Sequence, residues 1–411
     1  MKIAVLGCGA RGMMFSNIAK SEKIEIAAAC DIDKIRTDLF KELFQISEEN
    51  LFNKADDFFG KGKLADVLII STVDDTHHKY AIKALQTGYD ILLEKPIALN
   101  ACDVMDIYSK AKELNRKVGV CHVLRYTPFY MKVKELLDSG VIGEILNINQ
   151  TENVGYWHFA HSFVRGNWHN SVETCPSILA KCCHDLDLIL WLTGKSCKEL
   201  SSFGNLIYFT KQNMPDGAAK RCKICKYKKD CLYSAYILYK NRPFMVKQPS
   251  VRDYSVENAF EVIDEEKDYY DKCVYQCDND VCDHQMVNML LEGGVLANLT
   301  MQAFSDKCYR RTQICGTKGE MNCLIEDGEI KLELFGEKEQ IIHVTVDDKL
   351  SQHCGGDRLL LLDFLKYVAG NEKSVGLTTL GKSIESHMVA FAAENSRLNS
   401  GKPEFLGGEK Q

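Results

Sequence analysis

The sequence Lys-Ile-Ala-Val-Leu-Gly-Cys-Gly-Ala-Arg-Gly at residues 2–12 decides the fold of the first part of the chain. Its first half is a short apolar run typical of a buried strand, and its second half is a Gly-x-Gly-x-x-Gly pattern that opens a helical segment. Gly7 permits a tight turn, Gly9 lets a pyrophosphate approach the backbone, and Gly12 lets the helix pack on the strand. The helix N-terminus then offers free N–H groups to phosphate oxygens.

A second apolar run, residues 24–30, ends at Asp31. A carboxylate at this position binds the ribose 2′-hydroxyl and repels a 2′-phosphate, which favours NAD over NADP. A glycine-rich turn without a nucleotide is the alternative for the same pattern. The residues that the pattern predicts to contact the cofactor are Gly7, Gly9, Ala10, Arg11, Gly12 and Asp31.

Strands continue to alternate with helices up to about residue 122, which predicts a doubly wound parallel sheet. Ligands of such sheets bind at the carboxyl ends of the strands. Two polar segments, Thr72–His77 and Glu94–Pro96, follow predicted strands directly and therefore lie at this edge.

The length of 411 residues predicts about two domains. A net charge of −6 and a pI near 6.0 argue against a nucleic-acid binder, which would carry a basic surplus. We recognise neither an export signal nor an apolar run long enough to span a membrane, so we expect no membrane partner and a cytoplasmic location. We therefore expect most of the 18 cysteines to be reduced thiols.

These motifs together resemble the Gfo/Idh/MocA family, the group of glucose–fructose oxidoreductase and inositol dehydrogenase. The resemblance implies an N-terminal Rossmann domain at residues 1–123. It also implies a C-terminal α+β domain at residues 124–411 with an open, mostly antiparallel sheet. A small-molecule sugar or polyol substrate and a homo-oligomer are implied as well. The residues that carry the resemblance are Gly7, Gly9, Gly12, Asp31, Ser71, Thr72, His77, Glu94, Lys95 and Pro96.

Lys95 is the first catalytic candidate. A lysine at a strand end beside the nicotinamide can stabilise the negative charge that develops on a substrate oxygen as hydride leaves. The resemblance implies a catalytic role for it, whereas a surface lysine before a turn proline is the alternative. Thr72, His77 and Glu94 are predicted to approach the cofactor, although His77 also suits a structural role and Glu94 also suits a pairing with Lys95.

His184 is the second catalytic candidate, in a segment at residues 177–192 whose apolar residues recur at helical spacing. It matches a catalytic histidine of the family, and neutral imidazole is suited to accept a hydroxyl proton. Many members carry an aspartate four residues earlier, where this chain has Ala180. The ring is then expected to be oriented by Asp185, Asp187 or Lys181, and a core histidine is the alternative.

The stretch at residues 156–169 is dense in aromatic rings, imidazoles and amides. Aromatic faces and polar side chains of this kind suit a sugar pocket, with a structural aromatic cluster as the alternative. The residues predicted to contact substrate are Arg125, Trp157, His158, Arg165 and Lys181.

Three cysteines form a Cys-x2-Cys-x5-Cys pattern inside a basic insertion at residues 213–250. The Cys-x2-Cys hook suits a structural zinc ion, for which Cys273 or Cys277 would supply a fourth ligand. An iron–sulfur site, a redox dithiol and plain free thiols are the alternatives. The three predicted metal ligands are Cys222, Cys225 and Cys231.

Three functions fit the sequence. The first is an NAD-dependent oxidoreductase that transfers hydride between a sugar, polyol or glycoside hydroxyl and nicotinamide. The second is a redox-neutral glycosidase that uses tightly held NAD to oxidise a sugar transiently and eliminate an aglycone. The third is a regulator that senses NAD without catalysis, and Ala180 in place of the usual aspartate favours this alternative.

Overall fold

The computed structural model describes residues 1–242, 245, 263, 270–345, 353–370 and 378–407 of the 411-residue chain. The insertion predicted at 213–250 is therefore described only in part, since residues 243, 244 and 246–250 lie outside the described residues. Within the described residues, no helix is long and apolar enough to cross a membrane.

A six-stranded parallel sheet forms the first half of the molecule, with the strand order β3-β2-β1-β4-β5-β6. Its central strands are short apolar runs buried on both faces, as parallel sheets covered by helices require. This order confirms the predicted doubly wound α/β architecture and places a crevice between β1 and β4. The strands are β1 (Lys2–Leu6), β2 (Glu25–Cys30), β3 (Leu51–Phe52), β4 (Val67–Ile70), β5 (Asp90–Leu93) and β6 (Val118–Val120).

Helices connect these strands across both faces of the sheet. Two of them begin with side-chain caps, because Asp33 and Asn100 accept hydrogen bonds from backbone N–H groups of the first turn. The helices are α1 (Ala10–Ser21), α2 (Lys34–Phe44), α3 (Ala55–Gly60), α4 (His77–Thr87) and α5 (Ala101–Glu113).

A nine-stranded sheet forms the second half, and its first strand β7 pairs in parallel with a later strand, β10. The other pairings in this sheet are antiparallel, which confirms the predicted mostly antiparallel second domain. Gly293 and Gly294 adopt positive φ in the β9–β10 hairpin. The strands are β7 (Ile145–Gly155), β8 (Cys197–Asn205), β9 (His284–Leu291), β10 (Leu296–Ser305), β11 (Tyr309–Gly316), β12 (Gly319–Leu324), β13 (Glu329–Leu334), β14 (Gln340–His343) and β15 (Glu404–Phe405).

The segment predicted as one helix over residues 177–192 is instead two helices, with a break at Lys181 and Cys182. The hydrogen-bond pattern changes at the break, where the carbonyl of Cys182 accepts from the backbone N–H groups of both Asp185 and Leu186. The helices of the second half are α6 (Pro128–Asp138), α7 (Tyr156–Phe159), α8 (Ser177–Ala180), α9 (Cys183–Thr193), α10 (Ala235–Asn241), α11 (Gly356–Val368) and α12 (Leu380–Leu398).

Helix α11 returns to the first sheet although it lies near the end of the chain. Its Leu361 and Phe364 are buried in the same core cluster as Ile3 and Val5 of β1. The fit is close, because a Cβ at Gly119 would lie 2.5 Å from the Phe364 ring. Both ends of the sequence therefore build the core of the first domain.

Candidate active site

In the turn between β1 and α1, Gly7 and Gly12 lie where a side chain would not fit. Gly7 has φ of +96°, and a Cβ there would lie 2.5 Å from the Ser71 carbonyl oxygen. The Ser71 hydroxyl donates to the Gly7 carbonyl at 2.7 Å, which fixes the two strand ends together. Gly9 caps α1 without a side-chain hydrogen bond, so the first-turn N–H groups are available to an anion.

Asp31 is held rigidly at the end of β2, beside this turn. Its carboxylate accepts hydrogen bonds from the backbone N–H of Cys8 at 2.7 Å and of Asp33 at 2.9 Å. The Arg36 guanidinium lies 3.7 Å from the same carboxylate. A Cβ at Gly9 would meet only the end of Arg36, at 3.5 Å, so the backbone there is open to a pyrophosphate. These residues fit a dinucleotide: the turn suits the pyrophosphate and Asp31 suits a ribose.

Lys95 follows β5 and reaches into the second half of the molecule. Its Nζ donates a hydrogen bond to the Ala180 carbonyl at 2.8 Å. That carbonyl is available because α8 ends at Ala180. The same ammonium lies 5.7 Å from the centre of the Trp168 indole ring, within cation–π distance. Lys95 therefore lies between the first and second halves of the molecule, at the carboxyl edge of the first sheet.

Two buried histidines fix the loop that carries Lys95, whose bond to Pro96 is cis. The His77 ring lies between two carbonyl oxygens, with Nδ1 2.7 Å from that of Pro96 and Nε2 3.2 Å from that of Thr72. On the other side, His387 Nε2 accepts a hydrogen bond from the Ile97 backbone at 3.0 Å. These contacts give His77 a role in holding the loop, and its approach to the cofactor stays a prediction.

Arg11 and Glu94, both predicted to bind cofactor, are bonded to each other. Arg11 Nε donates to Glu94 Oε1 at 2.5 Å, and Arg11 Nη1 donates to Asp357 at 2.8 Å. Burial alone would raise the pKa of Asp357, but the His353 hydrogen bond and the Arg11 charge hold that pKa well below its usual range. The cluster joins the turn, the Lys95 strand and α11, and direct contact of Arg11 or Glu94 with cofactor stays a prediction.

His184 lies on α9 and is largely buried, close to Lys95. Burial lowers its pKa well below the usual 6.5, and the positive charge of Lys95 lowers it further. The nearest rings are those of His122, with centroids 5.7 Å apart, and His353, with centroids 6.3 Å apart. Among the described residues, His184 Nδ1 has no hydrogen-bond partner. A neutral imidazole beside an ammonium can accept a proton from a hydroxyl group.

The residues expected to orient His184 are engaged elsewhere. Lys181 Nζ lies 3.3 Å from Glu152, which also pairs with Arg310 at 2.6 Å. Arg310 Nε donates to Asp185 at 2.9 Å. This network of two cations and two carboxylates lines the region around His184. No local pattern in the sequence could reveal it, because Arg310 and Asp185 are 125 residues apart.

Asp187 and Arg125 form a separate buried pair. Two Arg125 nitrogens, Nε and Nη2, each donate to one oxygen of the Asp187 carboxylate at 2.6 Å, in a bidentate arrangement. Burial raises the pKa of Asp187, and the Arg125 charge opposes that rise. Arg125 was predicted to contact substrate, but here its guanidinium is bound to Asp187 between β6 and α9.

The aromatic stretch at 156–169 contains two further predicted substrate residues, Trp157 and His158. His158 stacks on Trp157 with ring centroids 5.6 Å apart. Burial lowers the pKa of His158 well below its usual value, with further contributions from the charges of Lys181 and Lys95. Trp157 donates to the Asp306 carbonyl at 3.2 Å. Their contact with substrate stays a prediction.

Arg165 is placed differently from the other predicted substrate residues. It is 2% exposed, and its guanidinium donates to the carbonyls of Lys272 and Tyr233, both at 2.7 Å. Its Nη2 also lies 3.7 Å from Cys222 Sγ. A side chain so enclosed and so bonded belongs to the core of the second domain, and this placement gives no support to a substrate contact.

The predicted zinc site is not supported. Cys222, Cys225 and Cys231 do line one small cavity together with Cys273, beside Arg165. However, nowhere in the part of the chain that the structure describes are three or more His, Cys, Asp or Glu side chains arranged to hold a metal ion. We therefore treat these cysteines as free thiols.

Comparison with known proteins agrees with this two-part architecture. Residues 1–122 match the description "Oxidoreductase family, NAD-binding Rossmann fold", and residues 134–401 match "Oxidoreductase family, C-terminal alpha/beta domain". The fold and site define a dinucleotide-binding oxidoreductase with a separate α/β domain. The chain belongs to the Gfo/Idh/MocA oxidoreductase family, as its motifs predict.

Named relatives share moderate identity with the chain. The putative oxidoreductase YteT of Bacillus subtilis is 27% identical over 388 residues, which cover 87% of each protein. The inositol 2-dehydrogenase of Salmonella typhimurium is 26% identical over 191 residues, which cover 46% of this chain and 52% of that protein.

Two solved structures share the fold over nearly the whole chain. An inositol dehydrogenase homolog from Azotobacter vinelandii, complexed with NAD+, has a TM-score of 0.72 at 14% identity and covers 99% of this chain and 97% of that one. An oxidoreductase from Agrobacterium radiobacter, in complex with NAD+, L-tartaric acid and magnesium, has a TM-score of 0.70 at 16% identity and covers 98% of each. At these identities the likeness concerns the fold alone.

Proposed function

We propose that the protein is an NAD-dependent enzyme that oxidises a CH–OH group of a sugar, polyol or glycoside. One observation carries the proposal: the Lys95 ammonium at the carboxyl edge of the first sheet lies close to the largely buried His184, whose lowered pKa keeps it neutral. Inositol 2-dehydrogenases among the relatives support a polyol substrate.

The two residues have distinct tasks in this proposal. When NAD is bound, it supplies a hydride acceptor. Lys95 holds the substrate hydroxyl oxygen and stabilises the negative charge that develops on it. His184 accepts the hydroxyl proton, which leaves a carbonyl once the carbon-bound hydrogen has departed as hydride. Because burial disfavours a protonated His184, the imidazole is ready to accept that proton at neutral pH.

We propose NAD rather than NADP as the cofactor. The Asp31 carboxylate is buried and fixed by two backbone N–H groups, so it cannot easily turn away from a 2′-phosphate. Titration of the protein with NADH and NADPH, followed by cofactor fluorescence, tests this choice. We expect tighter binding of NADH, and equal or tighter binding of NADPH would contradict the proposal.

A screen with NAD and a panel of sugars, cyclic polyols and aryl glycosides tests the reaction. NADH accumulation with a free sugar or polyol supports the proposed oxidation. Release of an aglycone without net NADH would replace it with the redox-neutral glycosidase. Tight NAD binding without turnover of any compound would instead support a sensing regulator.

We also propose that the protein forms a homo-oligomer through the open face of its second sheet. Phe203 pairs in register with Met286, and Leu290 pairs with Leu296, so all four side chains share one face. Each of them is more than one-third exposed. The two pairs flank Asn288 and Asn298, and a concentration of exposed apolar side chains on an open sheet face favours an interaction site. Light scattering should give a mass that is a multiple of 46.5 kDa, and Met286→Glu together with Leu296→Glu should reduce it to one chain.

A further inference from the structure

We infer that Trp168, held in place by Asp74, is the surface against which the ring of a cyclic substrate packs beside Lys95. This inference rests on the proposed function and deepens it, because it names a ring with an apolar C–H face as the substrate feature that the site recognises. Trp168 and Asp74 then determine specificity without taking part in the chemistry.

The Trp168 indole is anchored across the two halves of the molecule. Its Nε1 donates to the Asp74 carboxylate at 2.7 Å. Asp74 follows β4 in the first half, whereas Trp168 follows the short helical segment Ala160–Arg165 in the second. Asp74 is only 9% exposed, so the bond is shielded from water. A charge-assisted hydrogen bond in such a setting fixes the direction of the ring.

Packing within the second half restrains the same ring. Phe163 stacks on Trp168 with centroids 5.9 Å apart and planes inclined by 30°. Phe159 stacks on Phe163 in turn, at 5.1 Å and 21°. The Trp168 backbone N–H donates to the Ser162 carbonyl at 3.1 Å. Since Trp168 itself is only partly buried, this rigid support leaves some of its surface for a ligand.

The position of the indole relative to Lys95 gives it a function. Lys95 Nζ lies 5.7 Å from the ring centre. A sugar or cyclic polyol has an apolar face of C–H groups and an edge of hydroxyls, and its apolar face suits an aromatic surface. A ring seated on Trp168 would direct one edge hydroxyl towards Lys95. An open-chain polyol has no such face and loses more conformational freedom when it binds.

Steady-state kinetics with cyclic and open-chain substrates test the inference. Trp168→Leu should lower kcat/KM for myo-inositol, D-glucose or another cyclic substrate at least tenfold, mainly through KM, and should change it much less for D-sorbitol. Asp74→Leu should do the same. Asp74→Asn keeps an oxygen acceptor for the indole N–H and should recover most of the loss.

Two control variants separate this effect from damage to the fold. Asp75→Asn removes an exposed carboxylate from the same loop, and Phe335→Leu removes an exposed aromatic ring from the second half. Both should behave like the wild type. If Trp168→Leu and Asp74→Leu match these controls in the ratio of cyclic to open-chain kcat/KM, the inference is wrong.

A binding measurement distinguishes failure of the inference from failure of the proposed function. In a Trp157→Phe, Trp191→Phe double variant, Trp168 is the remaining tryptophan of the three in the chain. Adding a cyclic polyol to the NAD-loaded protein should change its emission in a saturable way. Saturable binding to this variant, together with no turnover by the wild-type protein, would leave the inference standing while contradicting the oxidation. Turnover of a cyclic substrate without an emission change would overturn the inference alone.

Discussion

Replacing Gly12 by alanine should disturb both the stability of the first domain and its binding of NAD. The added Cβ would lie 2.0 Å from the Gly7 carbonyl oxygen and 2.9 Å from Ser71 Oγ. Because Cβ atoms essentially never approach within 3.0 Å of another heavy atom, the start of α1 must move by about 1 Å. Overpacking of this kind costs about 1–3 kcal/mol of unfolding free energy.

The same movement misaligns the N–H groups at the start of α1. Loss of one hydrogen bond to a charged group costs about 1.5–3 kcal/mol. At 1.4 kcal/mol for each factor of ten, NAD affinity should fall by about 10- to 150-fold. Thermal unfolding measures the first effect, and NADH titration measures the second.

Gly9→Ala is the matched control, because it adds the same methyl group to the same turn at a position with room for it. There the Cβ would meet only Arg36 Nη1, at 3.5 Å, and the backbone has an ordinary φ of −73°. We expect an unchanged unfolding temperature without cofactor, but weaker NADH binding, since the methyl stands where the pyrophosphate approaches. Wild-type stability and affinity in Gly12→Ala would refute the reasoning for that residue. A lower unfolding temperature of Gly9→Ala without cofactor would refute the claim that the turn has room for a methyl group at Gly9.

Three further predictions concern the reaction and the buried pair. Lys95→Ala should lower kcat by at least about 100-fold and leave NAD affinity largely intact; full activity would overturn its proposed role. Because the pKa of His184 is lowered, the acidic limb of kcat/KM should lie below pH 6.5, and a limb at or above that value would contradict a neutral His184. Asp187→Ala leaves Arg125 buried without a carboxylate partner and should lower the free energy of unfolding in urea by about 3–5 kcal/mol. Adding Arg125→Met to this variant should restore much of that stability. Additive losses in the double variant would argue against the pairing.

The dinucleotide turn could be predicted from sequence because its determinants are local. The glycines of residues 7–12 and the strand before them lie within one short stretch, and Asp31 follows one helix later. Lys95 could be found for the same reason, since the triplet Glu94-Lys95-Pro96 directly follows a strand. In each case backbone geometry over a few residues dictates which side chains are allowed.

The surroundings of His184 could not be predicted, because they depend on distant segments. Arg310 meets Glu152 and Asp185 only when β11 pairs with β7 and α9 packs beside them. Helical periodicity also failed at Lys181, where a tertiary hydrogen bond to the Ala180 carbonyl accompanies the break between α8 and α9. Pairings over more than a hundred residues leave no periodic signal in the chain.

The return of α11 to the first sheet has a consequence for biosynthesis. Arg11 and Asp357 are 346 residues apart, yet their ion pair lies beside the dinucleotide turn. During translation, the ribosome must therefore release nearly the whole chain before the N-terminal domain can complete its core. Residues 1–122 made alone would expose the apolar cluster that Leu361 and Phe364 complete, and such a fragment should aggregate. Joining α11 ahead of Lys2 in this fragment, as a circular permutant would, should restore the solubility of the fragment.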